Sequence, residues 1–338
     1  MYDYLVFIGR FQLFHNAHLQ ILKKALTLSK KVIVVIGSAY QPRTPKNPWT
    51  VEERQKMISN NFEYVDRQNI LFTHAYDYSY NDQKWAAEIQ LRISAIAWER
   101  DAKIGIIGCK KDDTSFYLDF FPQWEFVEMN IIGDLNATEF RNTYFSQGLL
   151  HKHSGSIPSG TVRFVNEFFH SKSYEYLRQE HAFNEEYKKQ WENTKFPVIF
   201  VTTDAVVFQS GHVLMVRRKA RPGKGLLALP GGFLGYNEKI VDSMIRELRE
   251  ETKLKVPTPV LKGSIKAEKV FDGLGRSIRG RTITHAFCII LPAGKLSPVK
   301  GGDDADKALW VPLESIDKQR DMIFEDHADI VQYFVGAI

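Results

Sequence analysis

Apolar positions follow two kinds of pattern along the chain. Near the start, Tyr4-Leu5-Val6-Phe7-Ile8 and Val32 to Ile36 are short, unbroken apolar runs, the form of strands buried on both faces of a sheet. The stretch between them reads as helical to about Ser29, so strand, loop, helix and strand open a βαβ unit and a parallel sheet. Later, Val162 to His170 reads as a closing helix, and Tyr174 to Trp191 is polar, aromatic and charged with weak helical periodicity. A new strand is predicted at Phe196 to Thr202. Asp204 to Phe208 and His212 to Arg217 read as a hairpin with Ser210-Gly211 in its turn. Ile240, Met244 and Leu248 give Ile240 to Thr252 helical spacing. Strands near Ile283 to Leu291 and a helix near Ile323 to Phe334 complete the pattern. The expected organisation is an α/β chain with domains at 1–172 and 196–338, joined by a helical connector over 173–195.

Composition narrows this picture. A length of 338 residues suits two domains. No run of about twenty apolar residues is present, which argues against a membrane-spanning helix. The chain enters a strand at once, without a signal-peptide pattern. The two cysteines, Cys109 and Cys288, sit beside apolar runs, so reduced thiols and a cytoplasmic setting are expected. A net charge of +5 suits anionic nucleotides and does not call for nucleic acid. A homo-oligomer is compatible with the sequence.

Candidate chemistry lies in two places. The loop Gly9-Arg10-Phe11-Gln12-Leu13-Phe14-His15-Asn16-Ala17-His18 follows the first strand and opens the first helix. Backbone N–H groups and the helix dipole favour an anion there. Glycine permits close approach of phosphate, and Arg10 and the two imidazoles add donors. No cysteine or carboxylate cluster beside the histidines completes a metal site. The second place is Gly231 to Leu254. Glu247 and Glu251 are four apart on one helix face, and Glu250 lies three from Glu247. Carboxylates so closely spaced repel one another, and a divalent cation relieves that. Oxygen ligands on Mg²⁺ or Mn²⁺ would suit a diphosphate substrate.

These residues carry a resemblance. Gly232, Glu238, Arg246, Glu247, Glu250 and Glu251 are spaced as in the Nudix box, after Leu229-Pro230-Gly231. Lys253 stands where that pattern has glycine. A left-handed turn there would cost a lysine about 1 kcal/mol. Gly9 to His18 resembles the GRFQPFHxGH signature of nicotinamide-mononucleotide adenylyltransferases, in the HxGH nucleotidyltransferase superfamily, with Leu13 for proline and Ala17 for glycine. Asn47-Pro48-Trp49-Thr50 with Glu52-Glu53-Arg54 resembles the NPWTxxER segment. Gly108 to Asp113 and Phe121 to Trp124 are similar to bacterial members fused to a Nudix domain. Leu135 to Arg141 resembles the ISxTxxR signature, with Asn136 for serine and with Thr138 and Arg141 kept. Trp85 resembles the tryptophan that stacks on nicotinamide in archaeal relatives. Asp272 to Arg281, and Gly302 to Ala308 with Trp310 to Leu313, are similar to Nudix proteins acting on ADP-ribose and to Nudix-type regulators of NAD metabolism.

The resemblance implies a Rossmann-like nucleotidyltransferase domain followed by a Nudix α/β/α sandwich. It implies two reactions: adenylyl transfer from ATP to nicotinamide mononucleotide, giving NAD and pyrophosphate, and metal-dependent hydrolysis of ADP-ribose to AMP and ribose 5-phosphate. The implied catalytic residues are His15, His18, Arg141 and Glu251. Gly9, Arg10, Phe11, Gln12, Arg54, Trp85, Gly108, Thr138, Arg279 and Arg281 are implied to bind ATP or substrate. Glu247, Glu250 and Glu251 are the implied ligands of Mg²⁺, or of Mn²⁺ in the Nudix site. The competing structural readings are core packing for Trp85 and a surface ion pair for Arg54. Glu268, Asp303 and Asp304 stay open as the acid that orients water. The alternative function keeps the adenylyltransferase and makes the Nudix half a sensor of ADP-ribose, or a hydrolase of another nucleoside diphosphate derivative.

Overall fold

A computed structural model of the chain describes residues 1–109, 113–130, 137–148, 154–302 and 305–337. Inter-residue contacts divide the chain into two compact units, Met1–His181 and Ala182–Ile338. In the first unit the order is β1 (Tyr2–Gly9), α1 (Asn16–Leu28), β2 (Ser29–Ile36), α2 (Val51–Ser59), α3 (Tyr64–Arg67), β3 (Ile70–His74), α4 (Asp82–Ile96), β4 (Ile104–Gly108), β5 (Glu125–Glu128), α5 (Ala137–Gln147) and α6 (Ser159–Phe169). Next comes α7 (Lys172–Lys189), within which the division between units falls.

The first sheet is parallel throughout, in the order β3-β2-β1-β4-β5. The unbroken apolar runs have their expected cause. Leu5, Phe7, Val32 and Val34 pack into one buried cluster, while Val6, Ile33 and Val35 pack into another on the opposite face. The direction of crossover reverses beside β1, so a crevice opens at the carboxyl ends of β1 and β4, the usual place for a ligand in such sheets. The Gly9–His15 loop and Gly108 stand at that edge.

The second unit contains β6 (Ile199–Gln209), β7 (His212–Arg218), β8 (Leu227–Ala228), β9 (Gly231–Phe233), α8 (Ile240–Thr252), α9 (Thr258–Gly263), β10 (Ile265–Phe271), β11 (Arg281–Ile290), β12 (Ala305–Pro312) and α10 (His327–Val335). Its mixed sheet runs β10-β11-β6-β7-β12, with β8 on β7 and β9 on β6. The strands predicted at Phe196–Thr202 and Asp204–Phe208 form the single strand β6. Its start pairs with β9 and its end with β7, and parallel pairing with β11 continues across Thr203 and Asp204. Thr203, left between the two predicted strands, is buried with Asp204, and Asp204 accepts a hydrogen bond from the Thr284 hydroxyl. The predicted helix Ile323–Phe334 starts late. Ile323 bridges to Leu227 and the following residues form a turn before α10.

Helix α8 has the predicted bounds. Met244, Ile245 and Leu248 anchor it in the core with Val207, Leu214 and Phe287. Lys253 closes it at φ 52°, ψ 27°, with its N–H on the Arg249 carbonyl. The lysine therefore takes the left-handed conformation that glycine would take at lower cost. Neighbouring chain fixes it there: Lys300 N–H donates to the Thr252 carbonyl and Gly302 N–H to the Glu251 carbonyl.

Candidate active sites

In the first unit, the loop after β1 is built from the inside. Phe11 is buried at φ 50°, and its ring packs over Gly9, where a Cβ would lie 2.8 Å from the ring. Glycine is required there by a close approach within the protein. Gln12 is buried too. Its Nε2 donates to the Trp49 carbonyl (3.0 Å) and its Oε1 accepts from Trp49 N–H (3.1 Å), which locks the loop to the Asn47–Thr50 segment. Arg10 is left exposed. His15 and His18 stack with ring centroids 3.7 Å apart, and His18 Nδ1 accepts from His15 N–H (3.3 Å) at the start of α1. An imidazole that accepts at Nδ1 carries its proton on Nε2 when neutral.

Arg54 was expected on a substrate or in a surface ion pair. The structure overturns the surface ion pair: its guanidinium is buried and donates to the carbonyls of Thr50, Arg10, Gly37 and Ser38. Burial lowers its pKa to about 10, so it keeps its charge at neutral pH. It holds the ends of β1 and β2 and the entry to α2 in one cluster. Arg141, also buried, donates to the Gln12 carbonyl and to the Thr138 hydroxyl (3.0 Å). Burial, with the nearby Arg10 charge, lowers its pKa to about 10. Thus α5 and the β1 loop are tied together at the crevice. Trp85 makes edge-on or tilted contacts with Tyr117, Phe120 and Phe121 in the second core cluster, the packing role weighed against stacking on a ligand. Gly108 ends β4 and is buried. Lys110 to Asp112 and the Leu135-Asn136 pair lie outside the described residues.

In the second unit, Arg246 organises the acidic box. It donates to Glu238 (2.7 and 3.0 Å), to Glu247 (2.8 Å) and to Glu250 (3.0 Å). Glu238 also accepts from Gly235 N–H (2.7 Å), and its bond to Arg246 brings its pKa down to about 2. Glu251 accepts from Gly231 N–H (3.0 Å). Gly232 lies against Glu247, whose Oε1 would be 2.4 Å from a Cβ at that position. Gly232 therefore lets β9 run across the Glu247 carboxylate, while at Gly231 a Cβ would lie 2.2 Å from the Thr203 carbonyl of β6. Burial pushes the Glu251 carboxyl up to about 8, with Glu247 and Asp204 adding repulsion, and burial raises Glu247 as well.

Among the described residues no three His, Cys, Asp or Glu side chains converge as a preformed metal site. Arg246 engages Glu247 and Glu250 instead. The donor set nevertheless fits a hard divalent cation: oxygen ligands at helical spacing, with Glu251 and Glu247 crowded in a partly buried place where only a cation makes two charges stable.

Glu247 and Glu251 line a cavity of about 380 Å³, the size of a small-ligand site. Its wall also includes Phe183, Tyr187, Arg218, Arg221, Phe233, Arg276, Arg279, Phe324, Glu325 and His327. Arg279 stands over the Phe233 ring (5.1 Å) and Arg218 over Phe324 (4.1 Å). Arg276 makes a two-bond pair with Asp326 (2.7 and 2.8 Å). His327 is buried and its Nδ1 accepts from Leu229 N–H (2.8 Å), while burial holds its pKa below the ordinary histidine value. Of the predicted residues, Arg279, Glu247 and Glu251 reach this wall. Arg281 lies off the wall and donates to the Asp272 and Gly273 carbonyls. Glu268 pairs with His285 (3.4 Å) on β10 and β11. Asp303 and Asp304 lie outside the described residues. Glu325, His327, Arg276, Arg218 and Phe324 were not singled out in the sequence, although Arg276 sits in the basic loop noted there.

Known proteins resemble both units. A NUDIX domain model matches residues 199–334, and a cytidylyltransferase-like model matches residues 6–97. Over 181 residues the chain is 42% identical to the nicotinamide/nicotinic acid mononucleotide adenylyltransferase of Acinetobacter baylyi, spanning 53% of this chain and 94% of that protein. Over 135 residues it is 31% identical to the ADP-ribose pyrophosphatase of Methanocaldococcus jannaschii, spanning 40% of this chain and 72% of that one. A crystal structure from Francisella tularensis, described as a bifunctional NMN adenylyltransferase/ADP ribose pyrophosphatase complexed with AMP and Mn ion, matches with a TM-score of 0.93. It is 37% identical and covers 100% of this chain and 99% of its own.

Proposed function

The chain belongs to the family of bifunctional NMN adenylyltransferase/ADP-ribose pyrophosphatases, and from that premise we propose that it makes NAD from ATP and nicotinamide mononucleotide and hydrolyses ADP-ribose to AMP and ribose 5-phosphate. The observation that carries this reading is the pairing, in one chain, of an imidazole pair at a strand–helix anion site with a carboxylate- and arginine-lined cavity.

In the first unit, the phosphate of the mononucleotide attacks the α-phosphorus of ATP and pyrophosphate leaves. Such transfer depends on alignment and charge neutralisation. The first turn of α1 offers backbone N–H groups, His18 offers Nε2–H, and exposed Arg10 is available to the triphosphate. Arg141 contributes charge while holding the loop through the Gln12 carbonyl. Gln12 and Arg54 are positioning residues, since their side chains bond to the protein's own backbone. Magnesium enters as the partner of ATP.

In the second unit, Glu247, Glu250 and Glu251 would hold Mg²⁺ or Mn²⁺, which when bound activates water and polarises a phosphoryl oxygen. Arg246 orients the glutamates and balances their charge. Arg279 and Arg276 suit the diphosphate, and the rings of Phe183 and Tyr187 suit a purine.

Product analysis tests both halves. With ATP and nicotinamide mononucleotide the expected product is NAD. With ADP-ribose and Mg²⁺ or Mn²⁺ it is AMP. Absence of NAD would overturn the first assignment, and absence of AMP the second.

A further inference from the structure

Phe324 and Glu325 enter the hydrolase cavity from the turn before α10, Asp326 follows them, and the three are bound differently. Phe324 lies beneath the Arg218 guanidinium, and Asp326 is spent on Arg276. Between them, Glu325 lines the cavity with a buried Oε1 that has no hydrogen-bond partner. Its backbone is left-handed at φ 47°, a conformation that a residue with a long side chain adopts at a cost. Such strain persists where the surroundings hold a side chain in place, often at a ligand site. Burial raises the Glu325 pKa and Asp326 adds repulsion, while the Arg279 and Arg276 charges and the Ser277 hydroxyl act the other way.

A carboxyl oxygen that carries no proton only accepts hydrogen bonds, so a ligand group that partners it is a donor. The phosphates of a nucleoside diphosphate sugar cannot serve. The ribose hydroxyls that flank the diphosphate can, and Glu325 stands among the arginines that suit the diphosphate. We propose that Glu325 is a specificity-determining residue of this cavity, and that its unpartnered carboxylate oxygen accepts a hydroxyl of one of the two riboses flanking the diphosphate. The inference rests on reading the cavity as the ADP-ribose site.

The experiment compares kcat/KM of the full chain for ADP-ribose and for two analogues, one deoxygenated in the adenosine ribose and one in the terminal ribose. A hydrogen bond to a charged acceptor is worth about 10- to 100-fold. Wild type should disfavour one analogue by that factor, which identifies the ribose. Glu325→Gly removes the carboxylate and relieves the left-handed backbone, so its melting temperature should hold. It should lose the same factor on ADP-ribose and stay within about threefold of wild type on the disfavoured analogue. Glu325→Gln, which keeps an acceptor, should fall between. Equal losses on all three substrates, or no loss, would overturn the proposal. Should wild type release no AMP, the hydrolase reading fails by itself. The same comparison is then made by titrating Mn²⁺-loaded protein with the three ligands: an affinity difference that Glu325→Gly erases upholds the proposal, and equal affinities overturn it.

Discussion

Single side chains in this protein do opposite kinds of work with the same chemistry. Arg54 and Arg279 both carry guanidinium groups, yet Arg54 spends its donors on carbonyls while Arg279 faces a cavity. Arg54→Ala would strand buried carbonyls and leave a void. The expected cost is at least about 3 kcal/mol, read as a lower denaturation midpoint of the N-terminal unit. Buried His327 gives a pH signature. Asp204, Asp326, Arg276 and Arg218 act on it, and burial depresses its pKa. A depressed histidine leaves the unfolded chain to take up the proton first. Its contribution is therefore complete above about pH 6.5, the unfolded value, and is lost as pH falls toward the folded value. Melting temperature against pH should decline below about 6.5, and His327→Gln should flatten that decline. The acidic box was legible in the sequence because helical spacing places its glutamates together without tertiary knowledge. The surface ion-pair reading of Arg54 failed because nothing near it in sequence tells that the Gly37 and Ser38 carbonyls turn toward it.

At the scale of elements, the bounds of α8 were legible, and Met244 and Leu248 do mark its buried face, but Ile240 is exposed and Ile245 faces the core in its place. The cavity opposite was not legible. Its wall gathers residues from α7, β7, β9, the Asp272–Arg281 loop and the turn before α10, and only the fold brings these together. Apolar periodicity extended the last helix back to Ile323, which hid Glu325 and His327 as ordinary polar helix positions. Lys253 allows a direct test of a local rule. Lys253→Gly should stabilise the C-terminal unit by about 1 kcal/mol, measured by thermal or chemical denaturation, with AMP formation unchanged.

Across the whole molecule, the imidazole pair and the acidic box belong to separate compact units with separate cores. Their chemistry should separate likewise. Glu251→Gln is expected to lower AMP formation by about 100- to 1,000-fold, the scale of losing one electrostatic stabiliser, and to leave NAD formation intact. His18→Ala should do the reverse. A variant that loses both products would show that the two reactions depend on each other. The pairing of strands carries a further consequence for the birth of the protein. In the first sheet β1 meets β2 after one crossover, but its other parallel partner, β4, joins Tyr4 to Ile104. In the second, β6 finds β7 through a hairpin, yet its parallel pairing joins Ile199 to Arg281 and Ile290 to Phe208, so that edge of β6 also waits for a distant partner. Closing so long a loop is slow. On a ribosome the nucleotidyltransferase half would already be folded while the first strand of the other half was still exposed, and that interval is when the chain is most open to aggregation or to a chaperone.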